Sequence, residues 1–315
     1  MTDGAGSMRA AEVSEGLDEP KAISSPLIAE AGAPRKRRSA WNRFRRHRLA
    51  MAGLTFLVAV GLVAVFAPLV SFHDPNAGEL RMVRKPPQAG HVLGTDGAGR
   101  DVWARLVYAS RISLTGGIAS MALATAIGVA LGGIAGFAGG KIDSLIMRFT
   151  DIILCFPTLL VILSVVTVVG PSITNVILVI GGFSWPGICR LVRGQFLSLR
   201  QQEFVTAARC AGAPSSRIVV RHMLPNVVAP LSVAVTLGIA GAILTEAGLS
   251  FLGLSVQVPT PTWGNMLLGA TSISIIENNW WLWLPPGIAI AGTVLAINFV
   301  GDGLRDVLDP RMRLD

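Results

Sequence analysis

Six apolar stretches, each long enough to cross a lipid bilayer, constrain this chain more than any other feature. They lie near Leu49–Val70, Ile112–Phe137, Leu145–Val169, Ile173–Val192, Val227–Leu249 and Leu282–Val300. A hydrocarbon core about 30 Å thick takes about 20 apolar residues in a helix. A span in lipid must satisfy its own backbone hydrogen bonds, and a helix does so within one segment. Hydrophobic residues make up 51% of the 315 and charged residues only 15%, where a soluble chain carries about one quarter charged. Each charge left in hydrocarbon costs about 2.5–3.5 kcal/mol on insertion scales. The expected fold class is therefore all-α: a polytopic membrane protein with six transmembrane helices.

The net charge of +8 would suit nucleic acid, but the basic residues sit between the spans, where the positive-inside rule places them. Of the 27 Lys and Arg residues, 21 fall in segments assigned to the cytoplasm and six in 71–111, while 250–281 holds none. Shifting the topology by one span reverses that bias. Both termini are then cytoplasmic. Residues 1–34 are rich in Ala, Gly, Ser, Glu and Pro, lack periodicity and predict a disordered tail. A basic cluster from Arg35 to Arg48 leads into the first span, with no small-residue cleavage site behind it. The expected organisation is a basic tail over 1–48, a first helix over 49–71 and an extracytoplasmic segment over 72–111. A five-helix core over 112–303 carries a cytoplasmic loop at 194–226, and 304–315 end the chain.

The second span places a small residue every four positions: Gly116, Ser120, Ala124, Gly128, Gly132, Gly136 and Gly140. One smooth face lets another helix approach closely. Gly128, Gly132 and Gly136 are its candidate packing positions; an interface that slides is the alternative.

The loop at 194–226 predicts a helix from Gln201 to Ala211, stopped by Gly212. A second short helix is expected after Pro214, capped near Ser215 or Ser216, running to Pro225. Phe204, Val205, Ala208 and Ala211 share a face at three-to-four spacing, and small Ala207, Ala208 and Gly212 would admit a partner closely. A rigid knob of this kind predicts docking.

Candidate chemistry is sparse. There is no Walker A motif; after the glycines preceding Lys141, Ile142 stands where Ser or Thr would hold magnesium. His47, His73, His91 and His222 are scattered and form no metal pattern. Cys155, Cys189 and Cys210 are expected as free thiols. Asp151 and Glu246 lie in or beside spans, where interfacial hydrogen bonding is favoured over a proton relay. Asp96, Arg100, Asp101, Arg105 and Arg111 predict a solvated helix stitched by salt bridges, with an external gate or docking surface as the alternative.

Ala207 and Ala208, Gly212 four residues later, and Leu224–Pro225 resemble the EAA loop of ABC-importer permeases. Thr206 departs from the usual Glu, with Glu203 one turn earlier, and His222 departs from an apolar residue. GTDGAGRDVWARLVYASRISL at 94–114, MRFTDIILCFPTLL at 147–160, LSFLGLSVQVPTPTWGNML at 249–267 and PGIAIAGTVLAINFVGDGLRDVLDPR at 286–311 resemble segments of the peptide/nickel branch, in its order. The resemblance is to the C-type permease of dipeptide and oligopeptide importers, with nickel and glutathione relatives, in the inner membrane. It implies a type I importer permease fold, with Glu203, Ala207, Ala208, Gly212, Leu224 and Pro225 coupling to an ATPase. It implies as partners a second, B-type permease, two ATP-binding subunits and an extracytoplasmic substrate-binding protein. ATP and magnesium would sit on the partners, and this chain would hold no cofactor and do no covalent chemistry. A stand-alone secondary transporter is the competing class; it would show two repeated halves, and no clear repeat is present.

Overall fold

The computed structural model describes residues 44, 45 and 47–308. The expectations for the N-terminal tail to residue 43, for Arg46 and for residues 309–315 lie outside those residues. Among the described residues the structure is helical, without a β-strand.

Helix α1 (Arg48–Val65) begins where His47 Nδ1 accepts the Ala50 N–H at 3.1 Å, and short α2 (Ala67–Val70) follows. Helix α3 (Val102–Ala138) starts ten residues before the expected Ile112, because Asp101 caps it: its Oδ1 accepts the Ala104 N–H at 2.6 Å. A side-chain oxygen at this position satisfies a backbone donor that the helix cannot. Then come α4 (Gly140–Cys155), α5 (Thr158–Val169), α6 (Ile173–Leu199) and α7 (Glu203–Cys210). Helix α8 (Ser215–Phe251) is followed by α9 (Trp263–Met266), α10 (Ile273–Asn278) and α11 (Trp280–Leu308).

Five of these, α1, α3, α6, α8 and α11, are long and apolar enough to cross a membrane. The third expected span, Leu145–Val169, is instead the pair α4 and α5, bent by 82°. The break lies at Phe156–Pro157. Phe156 is extended, with φ −94° and ψ 139°, the conformation a following proline imposes, and Pro157 has no N–H to continue the ladder. The sixth span exists only as this bent pair.

The small-residue stripe of α3 lies against α6. A Cβ at Gly128 would sit 2.6 Å from Ile188 Cβ, at Gly132 2.5 Å from the Cys189 carbonyl oxygen, and at Gly136 2.5 Å from Phe196 Cβ. Met121, Ala124, Trp185, Ile188, Val192 and Phe196 fill the rest of this contact as one buried cluster. Helix α1 meets α11 in the same manner, with a Gly53 Cβ placed 2.7 Å from the Ala296 carbonyl oxygen.

Gly132→Val should therefore force α3 from α6, at about 1–3 kcal/mol for an overpacked site. The purified variant is expected to unfold at lower temperature than wild type. Gly187→Ala, in open space on α6, should leave the midpoint unchanged.

Candidate functional site

Helix α3 has 37 residues, about 55 Å at 1.5 Å per residue, and separates two differently built ends. At its C-terminal end sits the loop holding α7. Arg200 Nη1 donates to the Phe137 carbonyl oxygen at 3.2 Å, and the Arg209 guanidinium lies 5.7 Å from the Phe137 ring centroid. Cations beside the last carbonyls of a helix also complement its dipole.

Helix α7 closes in a Schellman turn. Gly212 N–H donates to the Arg209 oxygen at 2.9 Å and Ala213 N–H to the Ala208 oxygen at 3.0 Å. Gly212 has φ +74°, which a Cβ resists. A Cβ there would meet nothing within 4 Å, so the backbone, not crowding within the chain, demands glycine. The expected second short helix is not separate. From Ser215 the chain runs through a π-turn at Ile218–Met223 straight into the membrane part of α8. Neither Ser215 nor Ser216 caps it; Pro214 is the cap residue, without a side-chain bond. Pro225 does not break the helix, because it follows the wide turn in which Leu224 N–H reaches back to the Val219 oxygen. The π-turn widens the helix just before the proline and so accommodates a residue without an N–H.

The docking face needs one correction. Val205 is fully buried with Ile218 and Met223, and Ala208 packs half-buried on the same cluster. Phe204, Ala207, Ala211 and Gly212 face outward, with Glu203 and Pro225 also exposed and Leu224 half-buried. On an eight-residue helix the 205/208 stripe anchors the knob, leaving 204, 207 and 211 as its outer stripe.

The other end is a folded cap, not the expected solvated helix. Asp96 Oδ1 accepts the N–H groups of Ala98 at 2.8 Å and Arg100 at 3.0 Å. Its Oδ2 lies 2.8 Å from Arg100 Nε and 3.5 Å from Arg105 Nε. Arg105, 3% exposed, donates to the Pro75 and Pro259 oxygens at 3.2 and 3.1 Å. It thus joins the 72–101 segment to the loop between α8 and α9. Trp281 Nε1 donates to the Thr95 oxygen at 3.3 Å and ties the same segment to the start of α11. A cavity of about 210 Å³ lies among Arg84, Asp96, Arg100, Arg105, Met266 and Leu282. Asp101 is buried and paired with His91 at 2.7 Å, and Arg111 is exposed.

Residues 128–314 match the family described as binding-protein-dependent transport system inner membrane component. Residues 37–87 match the N-terminal TM domain of oligopeptide transport permease C. The chain belongs to the binding-protein-dependent inner-membrane transport family. It is 41% identical over 300 residues to a dipeptide transport system permease protein of Alkalihalophilus pseudofirmus, spanning 94% of this chain and 97% of that one. A protein named as a peptide permease in Brucella suis biovar 1 is 43% identical over 274 residues, 87% and 91% of the two chains. One named as a peptide transport system permease in Brucella abortus biovar 1 is 40% identical over 299 residues, 95% and 99%.

Within this multi-pass permease, Asp151 and Glu246 are both hydrogen-bonded, one at the surface of the chain and one in its interior. Asp151 Oδ1 pairs with Arg190 Nη2 at 2.5 Å, linking α4 to α6 with both side chains more than half exposed. Asp143 and Arg193 form a second pair between the same helices. Glu246 is fully buried. Three hydroxyls donate to its carboxylate: Ser250 at 2.7 Å, Ser113 at 3.3 Å and Ser255 at 3.4 Å. Ser113 Oγ also accepts the Trp263 N–H at 3.2 Å. A buried carboxylate so satisfied holds α3, α8 and the start of α9 together. Sequence reasoning missed Ser113, Ser255 and Trp263, since no local pattern pairs residues so distant in the chain.

Glu246→Ala should leave three buried hydroxyls without their acceptor, at about 1–3 kcal/mol each for an unsatisfied group. Faster cleavage of the 253–262 loop by added protease is the expected result. Glu246→Gln, which keeps an acceptor oxygen, should be cleaved more slowly than the alanine variant.

Proposed function

We propose that this chain is the C-type permease subunit of an ATP-driven importer in the cytoplasmic membrane, passing di- or oligopeptides to the cytoplasm. Its outer stripe of Phe204, Ala207 and Ala211, ending at Gly212, docks on an ATP-binding subunit. The observation that carries this reading is the anchored, outward-facing α7 at the far end of α3 from the Arg105-linked cap. A stand-alone carrier has no use for such a knob, and a family of binding-protein-dependent transporters does. The peptide cargo is supported by the names of its relatives; nickel and glutathione importers share the architecture without that support. The remaining partners are a B-type permease and a substrate-binding protein facing the cap. The α7 end and both termini are cytoplasmic on the positive-inside count. ATP and magnesium belong to the ATPase subunits, in keeping with the missing Walker A motif, so this chain is a pathway and coupling element without covalent chemistry.

The mechanism is alternating access. Closure of the ATPases moves α7, and α8 carries the motion into the membrane because it is continuous from Ser215 to Phe251. Glu203, Ala207, Ala208, Gly212, Leu224 and Pro225 act in two ways: the exposed ones contact the partner, while Ala208 and Leu224 hold the knob to its base. ATP drives transport only through differential stabilisation of the two permease states; equal binding to both would move nothing.

Gly212→Val strains the turn by about 1–3 kcal/mol and adds bulk at the docking stripe. In the reconstituted importer, normal insertion and permease pairing are expected, with peptide uptake reduced at least tenfold. ATP hydrolysis should stop responding to loaded binding protein. Ala207→Asp should act likewise. Wild-type uptake in both variants would remove α7 from the coupling path.

A further inference from the structure

Three residues that the sequence leaves far apart meet at the capped end. The ligand atoms of His73, His91 and Asp101 all lie within 4.8 Å of one another. His91 Nδ1 is 2.7 Å from Asp101 Oδ2, and the His73 and His91 rings stack with centroids 4.9 Å apart. We propose that these three side chains form a binding site for a divalent transition-metal ion of the zinc class, clipping together the segment after α2, the 88–91 turn and the start of α3.

The supports of each ligand favour this reading. Asp101 is 3% exposed, and its Oδ1 is held by the Ala104 N–H, which fixes Oδ2 in direction. Outer bonds of that kind orient metal ligands. His91 sits in a tight turn closed by bonds in both directions with Gln88, at 3.0 and 3.1 Å. The His73 backbone oxygen accepts the Ser71 hydroxyl at 2.7 Å, while its side chain is exposed and lines an open cavity of about 610 Å³. That cavity is an entry path. Zinc bonds to imidazole nitrogen and carboxylate oxygen measure about 2.0–2.2 Å, which puts ligand atoms about 3.5 Å apart. Forming the site takes an inward movement of about 1 Å by the exposed His73 ring and a separation of His91 Nδ1 from Asp101 Oδ2, now 2.7 Å apart, by just under 1 Å. Two imidazoles and one carboxylate leave a position for water and suit a borderline ion; calcium and magnesium prefer all-oxygen sites.

The competing reading is that His91 and Asp101 form only a structural hydrogen bond and His73 merely stacks on it. The two separate in the full-length chain, purified in detergent with any affinity tag removed and titrated with zinc alone. The expected result is one zinc per chain, with X-ray absorption showing two imidazole ligands and zinc raising the thermal midpoint. His73→Ala and Asp101→Asn should each weaken zinc binding at least tenfold. Asparagine still caps α3 but loses the carboxylate oxygen paired with His91, so its metal-free midpoint should fall; His73→Ala, which removes an exposed ring, should keep the wild-type metal-free midpoint. His47→Gln and His222→Gln should bind as wild type does, and calcium should not compete. Absence of stoichiometric zinc, or zinc binding that survives His73→Ala, would overturn the site.

Discussion

The backbones of α3 and α6 approach closely along Gly128, Gly132 and Gly136, and features at both ends of the permease are placed by that contact. Lipid tails are as apolar as leucine side chains, so hydrophobicity alone does not hold two helices together in a membrane. Dispersion at close range must do so, and only residues without bulk allow it. With α6 fixed on α3, Arg200 reaches the Phe137 carbonyl and sets the base of α7. With α3 fixed, Ser113 stands opposite Glu246, and the loops beyond α8 fold onto the start of α3.

The two ends use contrasting chemistry for contrasting duties. Near α7 the anchor itself is apolar: Val205, Ile218 and Met223 are buried together, with the Arg200 and Arg209 contacts to Phe137 beside it. An apolar anchor tolerates small displacements because dispersion is non-directional, which suits a part that must follow a moving partner. At the capped end the joints are polar and directional: Asp96 with Arg100 and Arg105, Asp101 with His91, Glu246 with three hydroxyls. Buried groups of this kind demand their partners, so this end resists small displacements.

The 82° break between α4 and α5 sets the Asp151–Arg190 pair apart from the helix contacts. The pair's two charges are more than half exposed; facing lipid, each would cost about 2.5–3.5 kcal/mol, so the pairing itself favours a site away from the hydrocarbon. The exposed leucines, valines and phenylalanine of α1 have the opposite character and suit lipid.

The sequence alone determined five of the six expected spans and their order, the Gly212 stop and the glycine face of α3, because each follows from residues close in the chain. Apolar length, a glycine at a left-handed position and a four-residue repeat are local properties. The break at Pro157 was also local, since a proline in mid-span forbids a continuous helix, but apolar length masked it. Only the tertiary structure decided which residues of α7 turn inward, since Val205 and Phe204 are equally apolar and burial depends on where Ile218 and Met223 come to lie. It alone turned Asp96, Asp101 and Arg105 from a solvated stripe into a buried cap, and brought Glu246 to Ser113 and His73 to His91. Those partners are set by how the loops return over the helix ends, and a contact between residues distant in sequence leaves no periodicity to read.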